Sequence, residues 1–408
     1  MIWWRRRSRL RSAVSTFLLC VAVLVPACTS RSAQPFRPSD RHQPVVRWPT
    51  ASGPCSATTN DHFPKNTGLD DVVVTGRCSA WAVGTFPADT AATAALIEHW
   101  DGSSWRRVHA PGPQTNTRLF ALAAARPNDV WAVGIQHDAT ERHARTLIDH
   151  WNGKKWATVT SPKPKAPFLT EILDSVSASS PTNVWAAGYY LPVGGHYRTL
   201  IEHWDGRSWQ ILPSPNVVGA QKGSTLNDIS WAPHGQAWAV GFSSLGPKTW
   251  SLIEHWDGRR WRIVRSPEPR QSGLESVSGA STASTWAVGW VHIDATTNKA
   301  EVMRWNGRAW DVVPSPSPAN QISELTDVTS ASGRALAVGF SQSHSNSDTK
   351  PLAVLWTGTR WALTRLPIAS SASSSIEVGS ASGLEFGLPW VVGWTYLSGR
   401  TRAFAIRP

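Results

Sequence analysis

A strand-like phrase that ends in glycine recurs seven times along the 408-residue chain, at intervals of 48 to 54 residues. Six copies read Trp-x-x-Gly, and one copy has Leu in place of Trp. The copies are Trp81–Gly84, Trp131–Gly134, Trp185–Gly188, Trp238–Gly241, Trp286–Gly289, Leu336–Gly339 and Trp390–Gly393. A fixed period in this range indicates one supersecondary unit that is copied in tandem.

Each unit contains four short runs of β-type composition, and a tight turn precedes the fourth run. Asp-Gly and Asn-Gly favour such hairpin turns because both central positions need a positive φ. The turns are Asp101-Gly102, Asn152-Gly153, Asp205-Gly206, Asp257-Gly258 and Asn306-Gly307, with Thr357-Gly358 as a weaker sixth. Four antiparallel strands per ~50 residues predict an all-β fold, a propeller of four-stranded blades.

A count of these parts predicts how the propeller closes. The first and second strands occur seven times, whereas the fourth strand occurs six times. After the seventh copy, residues 402–406 can form one more strand. Residues 44–49 have the pattern of the missing outer strand. We therefore expect a single seven-bladed propeller over residues 44–408, with its last blade completed by an N-terminal strand so that no sheet edge stays open.

The unit resembles the kelch and galactose-oxidase type of propeller in two features. These are a strand that ends in Gly, as in 130–134, and a Trp-Asp-Gly-x-x-Trp hairpin, as in 100–105 and 256–261. The chain has one Gly where kelch has two, and Trp where kelch usually has Tyr. The resemblance implies the fold only. The copper site of galactose oxidase needs a Tyr–Cys cross-link, and no Cys follows the first unit.

The N-terminus predicts export. Five arginines at positions 5–11 precede an apolar stretch from Ala13 to Ala27, which is typical of a signal peptide over residues 1–27. Cys28 resembles the lipid-carrying cysteine of a bacterial lipobox, and residues 28–43 have the composition of a flexible tether. A membrane anchor helix, a twin-arginine signal and secretion without lipid are the alternatives. The expected location is extracytoplasmic, on the membrane of a bacterium whose Arg-rich composition suggests an actinobacterium.

Cysteine and charge support this compartment. Cys55 and Cys78 remain for a disulfide, although we expect them at opposite ends of the first strand. The formal charge is +12, of which five positives lie in the signal segment. No basic run follows that segment, so nucleic acid is not an expected partner.

Four units carry an acid-His-Trp triplet, at residues 98–100, 149–151, 202–204 and 254–256. Equivalent positions of a ring lie far apart, so these His cannot share one metal ion. We expect them to pack between blades with a satisfied polar contact. Of the 25 Trp, 18 occupy repeat positions, which also predicts core between blades.

The first strand of each unit should line the channel. Asp71, Asp228, Asp327 and Glu377 are placed in one register there, with Asp174 and Glu275 one residue earlier. Such a collar could hold a cation or a polyhydroxyl ligand. The alternative is that each acid accepts hydrogen bonds from the neighbouring blade.

Loops that break the repeat are the expected place for recognition. The candidates on the loops between second and third strands are Tyr190, His196, Tyr197, Trp250 and His292. No hydrolase, sialidase or nucleotide motif is found, and no cofactor or catalytic residue is predicted. The sequence favours a monomeric, non-catalytic binding module for envelope protein or polysaccharide. A glycan hydrolase or lyase that uses loop carboxylates is the alternative.

Overall fold

The computed structural model describes residue 55 and residues 63–407. Excepted are residues 89–91, 114, 139–142, 166, 218–221, 282–283, 295, 319–320, 345–347, 369–374 and 388. These residues form 27 β-strands and one short 3-10 helix, Leu384–Phe386. The predicted signal peptide, Cys28, the tether and the closing strand at 44–49 lie outside the described residues.

The strands fall into six consecutive groups of four and a last group of three, named units 1 to 7. Units 1 to 3 contain β1 (Gly68–Gly76), β2 (Ser79–Pro87), β3 (Thr93–Trp100), β4 (Trp105–Val108), β5 (Thr117–Arg126), β6 (Asp129–His137), β7 (Ala144–Trp151), β8 (Trp156–Thr158), β9 (Phe168–Ser180), β10 (Asn183–Pro192), β11 (Arg198–Trp204) and β12 (Trp209–Leu212). Units 4 and 5 contain β13 (Lys222–Ala232), β14 (Gln236–Leu245), β15 (Lys248–Trp256), β16 (Trp261–Val264), β17 (Ser272–Ser281), β18 (Ser284–His292), β19 (Asn298–Trp305) and β20 (Trp310–Val312). Units 6 and 7 contain β21 (Gln321–Ala331), β22 (Arg334–Ser343), β23 (Thr349–Trp356), β24 (Trp361–Leu363), β25 (Ser375–Ser382), β26 (Trp390–Leu397) and β27 (Arg400–Ile406).

Within each unit the strands pair antiparallel in chain order. A single parallel pair, Ala144 with Thr170, joins units 2 and 3 into one eight-stranded sheet. Because neighbours run antiparallel, the first-to-second and third-to-fourth connections lie at one end of the ring, named the turn face. The second-to-third loops and the linkers between units lie at the other end, named the loop face.

The repeated glycine has a steric cause. In every unit the repeat glycine pairs with a Leu or Val of the first strand, which we call the conserved Leu or Val of the repeat. These residues are Leu69, Leu119, Leu173, Leu226, Leu274, Leu325 and Val378. The residue that follows each of them is a β-bulge and has no partner on the second strand. A Cβ on Gly84, Gly188 or Gly339 would overlap a carbonyl oxygen of the bulged strand. Only glycine allows so close an approach of two backbones.

Tryptophan forms the core between units. Trp81 of unit 1 packs against Trp151 and Trp156 of unit 2, with ring centroids 5.0 and 5.3 Å apart. Trp390 of unit 7 makes the same contacts with unit 1, at 5.2 Å from Trp100 and 5.0 Å from Trp105. The last unit thus packs on the first, and the ring is closed.

The turn face also holds a disulfide. Cys55 is bonded to Cys78, with Cα atoms 5.5 Å apart, so Cys55 lies at the same end of unit 1 as Cys78. The Arg407 guanidinium donates to the carbonyl oxygens of Cys55 and Arg77, at 2.9 and 3.1 Å. In the described part of the chain, no helix has the length and apolar character needed to cross a membrane.

Candidate ligand-binding channel

The first strands surround a central cavity of about 360 Å³. Each unit contributes the bulge residue and its neighbours, and two aromatic side chains come from second strands. The lining is mostly polar, with many acids and one guanidinium, that of Arg118. It consists of two layers with different roles.

The first layer is a belt of alternating acids and serines. Its members follow the bulge residue directly, and Ala121 of unit 2 is the position where the pattern breaks. The belt residues are Asp71, Ser175, Asp228, Ser276, Asp327 and Ser380.

The belt joins neighbouring units by hydrogen bonds. Asp228 accepts from Ser175 Oγ, and also from the backbone N–H of Val277 in the next unit at 2.7 Å. Asp71 and Asp327 accept likewise from Leu122 N (2.6 Å) and Ala381 N (2.8 Å). The three belt acids therefore satisfy backbone donors across the unit boundaries.

The contacts of one belt serine fit a protonated belt acid. Ser276 Oγ lies 2.8 Å from an Asp228 oxygen and 2.7 Å from an Asp327 oxygen. A hydroxyl has one hydrogen, so both contacts are hydrogen bonds only if one carboxyl group is protonated. Burial, with the Asp327 charge as a smaller cause, raises the pKa of Asp71 to about 7. Burial also raises the pKa of Asp228 to about 6, and it raises the pKa of Asp327.

The structure corrects the predicted register of Glu377. Val378 pairs with the repeat glycine Gly393, as Leu325 pairs with Gly339. Ser380 is therefore the belt residue of unit 7, and Glu377 is equivalent to Glu324 rather than to Asp327. The sequence pattern aligns Glu377 with the other acids because they share a residue type. In the structure the register is set by the apolar residue that pairs with the repeat glycine, which is Val378 in unit 7.

The second layer lies nearer the loop face and is named the mouth layer. It contains the bulge residues, the residues that precede the conserved Leu or Val, and aromatic residues that follow the repeat glycine. Its members are Asp70, Arg118, Phe120, Asp174, Asn227, Glu275, Glu324, Thr326, Phe340, Glu377 and Trp394. A bulge directs two successive side chains to one side of a strand, which explains how Asp70 and Asp71 both reach the cavity.

Charges in the mouth layer are close together and poorly hydrated. Arg118 Nη2 lies 3.9 Å from Asp70 Oδ2, and these side chains are only 12 % and 4 % exposed. Burial, and then the Asp70 charge, raises the pKa of Glu377 to about 7. Glu377 therefore changes its charge near neutral pH. Acids outnumber the one guanidinium in this layer, so it favours a positively charged group.

Metal binding receives no support from the side-chain positions. Among the residues that the structure describes, no three His, Cys, Asp or Glu side chains are grouped as metal ligands. The mouth and belt acids are instead spread around the ring.

The histidines of the acid-His-Trp triplets have the expected polar contact, but they pack on a tryptophan of their own unit. The rings of His99, His150, His203 and His255 lie 4.0–4.2 Å from the repeat Trp of the same unit. Each Nε2 is within hydrogen-bond distance of one oxygen atom, which belongs to Ser79, Asp129, Asn183 or Gln236. These histidines are part of the framework.

The acids of all four triplets are buried, and two of them accept a hydrogen bond from a linker serine. Ser161 Oγ of the preceding linker donates to Glu202, at 2.9 Å, and Ser214 Oγ donates to Glu254, at 2.9 Å. Burial raises the pKa of each of these glutamates to about 8.

The five candidate residues predicted on loops do not line the cavity. Only His196 and Tyr197 lie on a loop, because Tyr190, Trp250 and His292 belong to strands β10, β15 and β18. Tyr197 is 40 % exposed and packs edge-on against Tyr189, at 5.2 Å. His196 is exposed beside it, whereas Tyr190, Trp250 and His292 are half-buried. His292 packs on Trp290, and burial lowers its pKa. They belong to units 3, 4 and 5.

Residues that the sequence did not indicate carry much of the channel chemistry. They are the belt serines, together with Arg118, Phe120, Glu324 and Phe340 of the mouth layer. An alignment on the conserved Leu would have placed Ser175, Ser276 and Ser380 in line with the acids.

Comparison with known proteins supports the fold. No protein-family model matches the chain, and neither does any curated protein. The chain is similar to YCF48 in its complex with a D1 peptide (TM-score 0.52, 12 % identity, covering 90 % of this chain and 99 % of that chain). It is also similar to the β-propeller domain of the trilobed protease from Pyrococcus furiosus (TM-score 0.51, 10 % identity, covering 84 % and 96 %). At such identities the similarity concerns the fold alone, and the chain is a β-propeller protein.

Proposed function

We propose that the protein is a non-catalytic binding module that receives a basic side chain of an envelope protein in its channel mouth. In this proposal it is a monomeric, kelch-like, seven-bladed propeller whose last blade is completed by residues 44–49. A signal peptide at 1–27 and lipid on Cys28 would hold it outside the cytoplasm of a bacterium.

The composition of the mouth layer carries the proposal. A lysine or arginine side chain that enters the cavity would meet Asp70, Glu324 and Glu377 as charged partners, and Phe340 and Trp394 as aromatic walls. Carboxylates and aromatic faces together are the groups that stabilise ammonium and guanidinium ions in desolvated sites.

The surroundings of the mouth favour a protein partner over a polysaccharide. Six of the large apolar side chains that are exposed lie at or beside loop-face connections, in units 3, 4, 5 and 7. They are Val193, Tyr197, Leu245, Ile293, Tyr396 and Leu397, which are 39–61 % exposed. Apolar side chains around a charged centre suit a protein interface. YCF48, the similar propeller named above, was solved with a bound peptide.

Selection from a displayed library of dodecapeptides, with the propeller immobilised, tests the proposal. We expect peptides that contain Lys or Arg to be enriched. The double variant Glu324→Gln/Glu377→Gln should lose this enrichment. The variant Asp138→Asn/Asp294→Asn, which removes two loop-face acids outside the cavity, should keep it. Enrichment without basic residues, or equal enrichment by both variants, would contradict the proposal, and retention on envelope glycans alone would favour polysaccharide.

One observation favours the catalytic alternative, a hydrolase or lyase that acts on glycans. Glu377 lies beside the charge of Asp70, and burial raises the pKa of Glu377 to about 7, which is the range of a general acid or base. Glu377 and Asp70 lie on the channel strands β25 and β1, whereas the sequence places the acids of this alternative on loops. Cleavage of envelope glycans that is abolished by Glu377→Gln would support this alternative.

A further inference from the structure

The turn face carries a ring of basic side chains that the sequence scatters over 200 residues. The third-to-fourth turns of units 2 to 6 each present one or two of them. They are Lys154, Lys155, Arg207, Arg259, Arg260, Arg308 and Arg360, and all are exposed. Arg77 and Arg126 add two further exposed bases from first-to-second turns of the same face.

The turn geometry holds these side chains outward. In the turns of units 2 to 5 an Asp or Asn oxygen accepts two backbone N–H groups, as Asn152 Oδ1 does from Lys154 and Lys155, at 3.0 and 3.1 Å. The same arrangement recurs at Asp205 and Asp257. Because the turn occupies the same place in successive units of a closed ring, the basic side chains lie at one level around the ring.

Acids on this face compensate only part of the charge. Asp101 and Asp257 form ion pairs with Arg106 and Arg262, at 2.6 and 2.8 Å, which leaves the seven turn bases. Asp205 accepts backbone N–H groups and a hydrogen bond from Gln210. The loop face also carries exposed bases, among them Lys163, Lys165, Arg265 and Arg365, but these stand in separate linkers and share the face with acids such as Asp138 and Asp294.

We infer that the turn face docks on a membrane that contains anionic lipid. A ring of positive charges at one level matches a flat anionic surface, whereas an extended anionic polymer could contact only part of the ring. The Cys55–Cys78 disulfide places Cys55, the first residue that the structure describes, on this same face. Docking in this way turns the channel mouth away from the membrane. The inference does not depend on the ligand proposed for the channel.

Partitioning onto lipid vesicles tests this inference. The protein to use is the chain from residue 44 onward, because the described residues close into a ring by themselves. We expect binding to phosphatidylcholine vesicles with about 30 % phosphatidylglycerol, no binding to pure phosphatidylcholine, and release by about 0.5 M salt. Lys154→Gln/Lys155→Gln/Arg259→Gln/Arg260→Gln should weaken the partition coefficient roughly 100-fold.

A matched control separates geometry from net charge. Lys163→Gln/Lys165→Gln/Arg265→Gln/Arg365→Gln removes two Lys and two Arg that are exposed in linkers on the loop face. It should change partitioning less than threefold, and circular dichroism should show both variants folded. Equal loss in both variants, or no binding by the unaltered chain, would overturn the inference. It would also be overturned if free polyphosphate bound but vesicles did not, or if Tyr396→Ser/Leu397→Ser abolished vesicle binding.

Discussion

Belt and mouth acids are neighbours along the same strands, yet their surroundings differ. Asp228 in the belt accepts hydrogen bonds from two serines and two backbone N–H groups. Glu377 in the mouth layer lies beside a like charge. The comparison shows that an acid in a propeller channel is not by itself evidence of a ligand site, since the belt acids join the units together.

The largest expected effect is on belt stability. Asp228→Ala removes an acceptor of two buried N–H groups and two hydroxyl groups, of which the Ser276 hydroxyl keeps Asp327 and the Ile229 N–H keeps Ser175. We expect the change to lower the free energy of unfolding by roughly 3 kcal/mol. Glu377→Gln removes a carboxyl group whose charged form is disfavoured, so stability at pH 8 should stay equal or rise. Urea unfolding measures both variants. A small loss for Asp228→Ala, or a large loss for Glu377→Gln, would break the distinction between the two layers.

The second prediction concerns pH. The pKa values of Glu202 and Glu254 are raised to about 8, and that of Asp71 to about 7. Acids with raised pKa values stabilise the fold while protonated, and this contribution is lost as pH rises through those values. We expect Tm to be roughly 5 °C lower at pH 9 than at pH 6.5.

This window lies at or above the ordinary pKa of histidine, so the lowered pKa values of His203 and His255 add little to the change. The variant Glu202→Gln/Glu254→Gln should reduce this decrease in Tm, although Glu301, whose pKa is raised to about 9, still contributes to it. Asp294→Asn, at an exposed turn, should leave the decrease unchanged. A Tm that rises from pH 6.5 to pH 9 would contradict the prediction, because it would mean that burial does not disfavour the ionised form of these acids.

A smaller effect is expected on the loop face outside the cavity. Tyr197→Ala/Trp250→Ala removes two aromatic side chains that lie away from the mouth layer, so affinity for a selected basic peptide should fall about threefold. Fluorescence anisotropy with a labelled peptide measures the change. Complete loss of binding would move the site from the channel to the loops, and no change would remove these two residues from it.

The smallest effect is expected at the repeated histidines. His203 stacks on Trp185, and its equivalent in unit 6 is Leu355, opposite Leu336. Asn183 keeps the indole N–H of Trp185 as a partner if His203 is replaced. His203→Leu should therefore cost about 1 kcal/mol in thermal unfolding. A loss of several kcal/mol would mean that the histidine does more than pack.

Periodicity predicted the propeller because glycine and tryptophan occupy fixed places in the repeat. It could not predict the bulge, since an extra residue without a partner leaves no mark in an alternating pattern. The strand pairing agrees with the placement of Asp174 and Glu275 one residue before the belt position, whereas Glu377 lies three residues before it. The basic ring was also missed, because its members are single residues in separate turns and become neighbours only when the ring closes.

The measurement closest to the central claim compares the affinity of one selected basic peptide for Glu377→Gln and for Asp228→Asn. We predict at least a tenfold loss for Glu377→Gln and less than a twofold loss for Asp228→Asn. For the unaltered protein, affinity should rise from pH 6 to pH 8 as Glu377 ionises, and Glu377→Gln should remove that rise. Loss at Asp228→Asn with Glu377→Gln unaffected would place the ligand on the belt and contradict the account.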